Sequence, residues 1–417
     1  MSSDLARSAV LENVRKLISE KLFHPWWDVR EIEEKAATLP ALSRELATIP
    51  EDQFERRLNA WLAEFGLSHT AYFHVAGRSV PPQFAIGAEL RSFPNGDGYA
   101  WLVQHVAEGG VARQAGVRLG DAFLAIDGQK IVPPDEPRFQ LGRAHEILLQ
   151  PRDESQPRTI RLELPKGTMK DRPPIVASRP LSHEMLESGI GIIRVSTFPG
   201  AVGLDFARAL DGIVEEFKSK RCDRLIIDLR GNPGGGLGSL RVMSYLVADR
   251  RPTGYSLTRR GKANRLGLQE LAQIKRIPRT KLGLWSMALR FGLLHRDRSL
   301  SLWTEKLGQQ PFHGKIVLLV DEFTRSAAEM IAAFASKAKL ATLVGAPTPG
   351  QVLGAANFKV GADYRLRIPV TAWYMWDGEL IEGKGVAPDN EIRPSLEDLQ
   401  AGSDVQLKRA ISVATVL

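Results

Sequence analysis

Val10, Val14, Leu17 and Ile18 recur at intervals of three and four residues, as do Phe54, Leu58, Trp61, Leu62 and Phe65. That is the stripe of an amphipathic helix, so helices are predicted over most of 5–67, broken at Pro40 and Pro50. Gly66 is the expected stop, followed by an extended segment reaching His74. Residues 81–166 read instead as strands, at 84–90, 100–105, 122–126 and 159–164. Between two of them, Gly109 to Asp121 spells a short helix, a glycine stop and a turn. From Gly189 onward strands (190–195, 224–229, 315–320, 341–344) alternate with helices (203–219, 238–247, 326–337), the rhythm of an α/β layer fold. A hairpin is expected at 358–369 around Gly361. The stretch 250–312 breaks this rhythm: it has few strand signals and carries an apolar run at 282–294, so it reads as an insertion.

At 417 residues the chain exceeds what one core organises. The pattern divides it into 1–80, helical and ending in the Ser68-His69 segment, a β-rich 81–167, and an α/β 168–417 with the insertion at about 250–312. The single cysteine, Cys222, excludes an intramolecular disulfide and a Cys-rich metal site. The histidines lack ligand spacing; His69 and His74, five apart, would face opposite sides of a strand. No metal or other cofactor is expected. The net charge is +8, but fifteen Lys or Arg stand against three acids between Arg250 and Lys315, giving that segment +12 and the remainder −4. Basicity confined to one segment argues against a general nucleic-acid binder. No apolar run reaches membrane-span length and the first residues lack an apolar leader core, so a cytoplasmic location is expected, or a periplasmic or secreted one if a leader has been removed.

Two turns could carry chemistry. In Asp321-Glu-Phe-Thr-Arg-Ser-Ala-Ala-Glu-Met330 a serine stands between a buried strand and an alanine-rich helix, where free backbone N–H groups favour developing negative charge. The same letters describe a helix N-cap, with Glu329 completing a capping box. In Ile226-Ile-Asp-Leu-Arg-Gly-Asn-Pro-Gly-Gly-Gly236 a strand runs into a glycine-rich turn that could aim N–H groups at a carbonyl oxygen. A tight turn needing positive φ explains those glycines equally well. A phosphate-binding reading is weak, because no Gly-Lys-Ser/Thr follows.

The segment Gly109–Asp121, followed by Ala122-Phe-Leu-Ala-Ile-Asp-Gly128, resembles a PDZ domain of the bacterial protease type. The order of that module, Asp-Leu-Arg-x-Asn-Pro-Gly-Gly, Ser-Ala-Ala-Glu and Gly-Lys-Gly-Val-x-Pro-Asp resembles the C-terminal processing peptidases and the tricorn core protease. The resemblance implies a ClpP/crotonase-like α/β core, with a PDZ domain and an N-terminal helical domain in front. It implies peptide-bond hydrolysis with Ser326 as nucleophile, and with N–H groups of Gly234 or Gly235 and of Ala327 as the oxyanion hole. One position departs from the processing branch: Gln351 stands where those enzymes place a lysine base, and an amide cannot take the serine proton. Lys359 and Lys384 are the nearest lysines, and neither fits the motif. The tricorn branch suggests His69 as base, Glu382 as a member of its network and Ser68 as the bridge between them. An imidazole, with an ordinary pKa of about 6.5, can accept the proton and pass it to the leaving amine.

Within the PDZ-like segment, Ile86, Gly87, Ala88, Glu89 and Leu90 match the position where related modules hold a peptide's terminal carboxylate. Polypeptide substrates, chosen through their C-termini, are therefore expected. The apolar run at 282–294 suits a peripheral membrane contact or a subunit contact as well as a solvated face. Two other readings stay open: a Ser/Lys peptidase using a lysine outside the motif, and a non-catalytic peptide-binding scaffold.

Overall fold

The computed structural model describes residues 3–39, 46, 49–75, 79–95, 98–165, 179–200, 202–278, 280, 282–283, 285–286, 289, 299–308, 311–312, 314–361 and 363–417. Most of the apolar run at 282–294, together with His295 and His313, lies outside them. Among the described residues of that run, Leu282, Trp285 and Leu289 are exposed.

The chain forms two compact units whose limits cut across the linear boundaries read from the pattern. One comprises 1–78, 251–303 and 350–384; the other comprises 79–250, 304–349 and 385–417.

In the first unit, the helices Ser3–Lys21, Val29–Ala36 and Glu51–Ala63 are amphipathic, as their spacing predicts. They do not form a core alone. Val14, Ile18, Leu22, Phe54, Leu58 and Trp61 share one with Leu353, Leu366, Ile368 and Ala372 from the far end of the chain. Those partners lie in a six-stranded sheet ordered Ala71–His74, Tyr364–Met375, Pro252–Thr258, Leu300–Trp303 and Ala272–Ile274, with Leu353–Lys359 also paired to Tyr364–Met375. The separate helical domain 1–80 and the strand-poor insertion 250–312 are both corrected by this. A helix stripe of this size needs an apolar surface opposite it, and strands from both ends of the basic segment help to build one. Pro252–Thr258 gives a weak strand signal because a glycine and three Ser or Thr residues dilute its alternation. The hairpin around Gly361 is present, its strands pairing antiparallel.

In the second unit, Ala88–Asn95, Gly98–Val106, Ala122–Ile126, Ala144–Gln150 and Arg158–Glu163 form an antiparallel sheet in that order. The strand expected at 84–90 starts late, because Pro82–Ala85 is a helical turn and Gly87 takes φ 70° before the chain extends. The short helix after Gly110 and a left-handed Gly116 follow the expected pattern.

The same unit holds the α/β layer. Ile190–Val195, Arg224–Asp228, Ile316–Val320, Thr342–Gly345 and Asn390–Glu391 run parallel, with Leu181–Met185 antiparallel at the edge. Their near-continuous Val, Ile and Leu runs are what a sheet covered on both faces requires. Ile190, Ile192, Ile226, Val317, Leu319 and Val344 pack against Ala410, Val413 and Ala414 of the helix Val405–Val416. No described helix is long and apolar enough to cross a membrane.

Candidate active site

Arg224–Asp228 and Ile316–Val320 are adjacent parallel strands, so the turns that follow them leave the sheet side by side. Carboxyl ends of parallel strands are where open α/β sheets place their ligand sites.

The first turn is fastened by polar side chains buried with it. Arg230 is buried and forms two bonds to each of two carboxylates, at 2.9 and 2.8 Å to Asp228 and at 2.8 and 2.9 Å to Asp404. Burial alone would raise the Asp404 carboxyl, but the Arg230 charge outweighs it and brings the pKa to about 2. Removing one partner of such a buried pair typically costs about 3–5 kcal/mol. Asn232, fully buried, donates to Val195 O at 2.8 Å, accepts the Gly234 N–H at 2.8 Å, and its carbonyl accepts the Arg325 N–H at 2.8 Å. One asparagine therefore ties the glycine turn to a neighbouring strand and to the turn that carries Ser326.

In that second turn Ser326 takes φ 55° and ψ −121°, immediately before the helix Ala327–Lys337. A left-handed backbone on a residue with a Cβ typically costs about 1–3 kcal/mol, and such strain clusters at functional sites. Its N–H donates to Glu329 Oε2 at 3.2 Å and its side chain accepts the Glu329 N–H, so the expected capping box is present. The other Glu329 oxygen accepts the Thr348 hydroxyl at 2.7 Å. An ordinary N-cap has extended backbone rather than this conformation. The strained turn therefore does more than end a helix.

Facing Ser326, a Cβ on Gly234 would lie 2.7 Å from Ser326 Cβ and 2.8 Å from Ala327 N, at a φ of +90°. Gly234 is there for close approach. Its own N–H is spent on Asn232, which removes it from the expected set of oxyanion donors. The N–H groups of Gly235 and Ala327 have no acceptor among the described residues, and Gly235 is held by a bridge to Phe198. Gly234→Ala should displace the Ser326–Ala327 peptide and lower kcat by about 10²-fold. Steady-state kinetics on a variant with unchanged far-UV circular dichroism checks this.

Ser68, His69 and Glu382 come together in the first unit. Ser68 Oγ lies 2.7 Å from His69 Nδ1, and the Ser68 N–H donates to Glu382 Oε1 at 3.1 Å. Glu382 is buried, and its other oxygen accepts the Val352 N–H at 2.7 Å. His69 itself has φ 63°, so the Ser-His turn, like the Ser326 turn, is held in a left-handed conformation. Lys359 is exposed on the strand Leu353–Lys359, and exposed Lys384 faces Glu379 at 3.8 Å.

The expected carboxylate cradle differs from the prediction. Ile86, Gly87, Ala88, Glu89 and Leu90 are all buried. The N–H groups of Ile86 and Gly87 both donate to Pro82 O, at 2.9 and 3.2 Å. Those amides are committed within the turn, because Pro82–Ala85 coils where the start of a strand was expected.

The other described histidines have their own partners: His24 accepts the Trp27 N–H at 2.9 Å, His145 contacts Asp127 at 2.8 Å, and His183 contacts Glu216 at 2.9 Å. Among the described residues no three His, Cys, Asp or Glu side chains come together to hold a metal ion. Sequence reasoning overlooked Asn232 and Thr324 as fasteners of the two turns. Their signal was a polar residue just beyond an apolar strand.

The site thus consists of adjacent parallel strands, a strained serine heading a helix and a glycine turn pressed against it. Residues 189–392, just under half of the chain, match Peptidase family S41. It is 26% identical over 398 residues to tricorn protease homolog 2 of Streptomyces coelicolor, covering 88% of this chain and 29% of that protein. It is 24% identical to the carboxyl-terminal-processing protease of Synechocystis sp., covering 94% of this chain and 81% of that one. The photosystem II D1 C-terminal processing protease has a similar fold, with a TM-score of 0.52 at 18% identity over 97% of this chain and 99% of that one. The chain spans less than two thirds of the length of the first three curated relatives it matches, at 29%, 59% and 54%.

Proposed function

We propose that this protein is a serine endopeptidase acting on polypeptides, with Ser326 as nucleophile. The observation that carries the reading is the strained Ser326 backbone beside the uncommitted N–H groups of Gly235 and Ala327. Two amides beside a nucleophile can accept the charge that develops on a carbonyl oxygen as the hydroxyl adds to its carbon.

In this reading His69 is the general base and then the acid. With Nδ1–H donated to the Ser68 hydroxyl, Nε2 is the ring nitrogen assigned the role of base. Glu382 holds the Ser68 backbone, so its part is to fix the turn that presents the imidazole. Gln351, which offers no basic group, favours this histidine over a lysine mechanism.

The module at 81–167 is read as a PDZ domain that selects substrates by their C-termini. Because the amides at 86–87 are bonded to Pro82, selection there requires the turn to open. Location, and any membrane or subunit contact at 282–294, belong to the same proposal: a soluble peptidase whose basic segment meets an anionic or apolar partner.

The test is direct. Unstructured polypeptides should be cut, with new termini found by mass spectrometry, and a fluorophosphonate should add to the peptide containing Ser326. Neither cleavage nor adduct would leave a peptide-binding scaffold as the reading.

A further inference from the structure

Glu89 begins the strand Ala88–Asn95 and Asp321 follows Ile316–Val320, yet their carboxyls meet in the interior of the second unit. Each residue is 3% exposed, and both carboxyls reach Gly231. The hydrogen-bond partners of the Asp321 carboxyl are two backbone donors and a hydroxyl whose single proton is shared with Leu229 O at 2.9 Å. They are the Gly231 N–H at 3.1 and 3.2 Å, the Phe323 N–H at 3.0 Å and the Thr324 hydroxyl at 3.0 Å. Glu89 Oε1 lies 3.2 Å from His105 Nδ1, while Oε2 is buried with no donor among the described residues. A Cβ on Gly231 would come within 1.8 Å of Glu89 Oε1, so the glycine turn rests directly on this pair. Two ionised carboxylates cannot stay in contact in an interior. A proton between them supplies the donor that Oε2 lacks.

We infer that Glu89 and Asp321 share one proton, and that this singly protonated pair positions the glycine turn against the Ser326 turn. They are positioning residues for the reaction proposed above, and the inference rests on that reading. Asp321 is suited to the task because one carboxyl group binds Gly231 at the head of the first turn and Phe323 and Thr324 in the second.

Charged groups from several elements face the pair. His105 comes from Gly98–Val106, and Arg91 and Glu322 stand 3.7 Å apart beside it. Asp228, Arg230 and Asp404 lie beyond His105, and Arg325 flanks Asp321. Burial lowers the His105 pKa, but the Glu89 charge outweighs it and the net shift is upward. Burial first, and the Glu89 charge second, push the Asp321 carboxyl well above its ordinary range. The sign follows. A carboxyl with a raised pKa keeps its proton in the folded protein after the unfolded chain has lost it. Stability and turn geometry therefore fall as pH climbs from the ordinary carboxylate range through the raised value. An alkaline limb in activity should accompany that fall.

The experiment compares Asp321→Ala with Asp321→Asn in the full chain. Asp321→Ala should lose about 10²-fold in kcat with little change in KM, because displaced reacting groups cost rate rather than binding. Asp321→Asn keeps an acceptor for Gly231 and a donor for Glu89, so it should recover most of that loss and no longer show the alkaline limb. Independently of activity, infrared spectra at neutral pH should show the carbonyl band of a protonated carboxylic acid in the native protein and not in Asp321→Asn. No such band, or the same alkaline limb in Asp321→Asn, overturns the inference. Undiminished proteolysis in Ser326→Ala would overturn the reaction reading, and with it the positioning role, while leaving the band in place.

Discussion

Ser326→Ala should lower kcat by about 10⁴-fold or more and leave KM within a few-fold of the native value. The hydroxyl oxygen is the atom proposed to bond to the substrate carbonyl, and no neighbouring group replaces it. Substrate contacts and the Gly235 and Ala327 amides would remain, so binding persists and some residual rate over water is expected. The substitution keeps Cβ, so it neither relieves the backbone at φ 55° nor opens a cavity, and circular dichroism should not change. Loss of the fluorophosphonate adduct must accompany loss of rate. Proteolysis at the native rate in a folded Ser326→Ala protein would end the nucleophile assignment.

The second large effect belongs to His69→Ala, expected to cost about 10³–10⁴-fold in kcat. Without an imidazole the hydroxyl proton must leave to solvent, so the residual rate should rise with pH as hydroxide takes over. Lys359→Ala and Lys384→Ala, assayed beside it, separate the readings, since a lysine mechanism inverts the pattern. The same loss should appear more weakly in Ser68→Ala, which removes the partner of Nδ1 and not the base. An active His69→Ala with an inactive Lys359→Ala would move the base to the strand Leu353–Lys359.

Apolar spacing alone located the helices packed at the start of the chain and the parallel strands of the α/β layer, because periodicity is a local consequence of which face is buried. The resemblance to a peptidase family, carried by the order of the motifs, picked out Ser326, the glycine turn, Ser68-His69 and Glu382, where the local letters left a helix cap and a tight turn open. Local patterns were silent on what long-range closure decides. Gly234 and Gly235 are identical in sequence; only the fold, by placing Asn232 Oδ1 2.8 Å from one amide, separates the committed N–H from the open one. Serine does not announce a left-handed backbone, so the strain at Ser326 became visible with the turn. Ile86 to Leu90 looked like an open cradle until Pro82 was seen to accept two of its amides.

What the amino-acid order determined was the inventory: stripes, strands, breakers and the residues able to do chemistry. Tertiary structure decided the partners. It joined the first helices to strands drawn from 252–375, and it set Glu89 on Asp321 across more than two hundred residues. Hydrogen bonds and buried charges depend on distance in space, which a chain fixes when its sheets close and not through its neighbours in sequence.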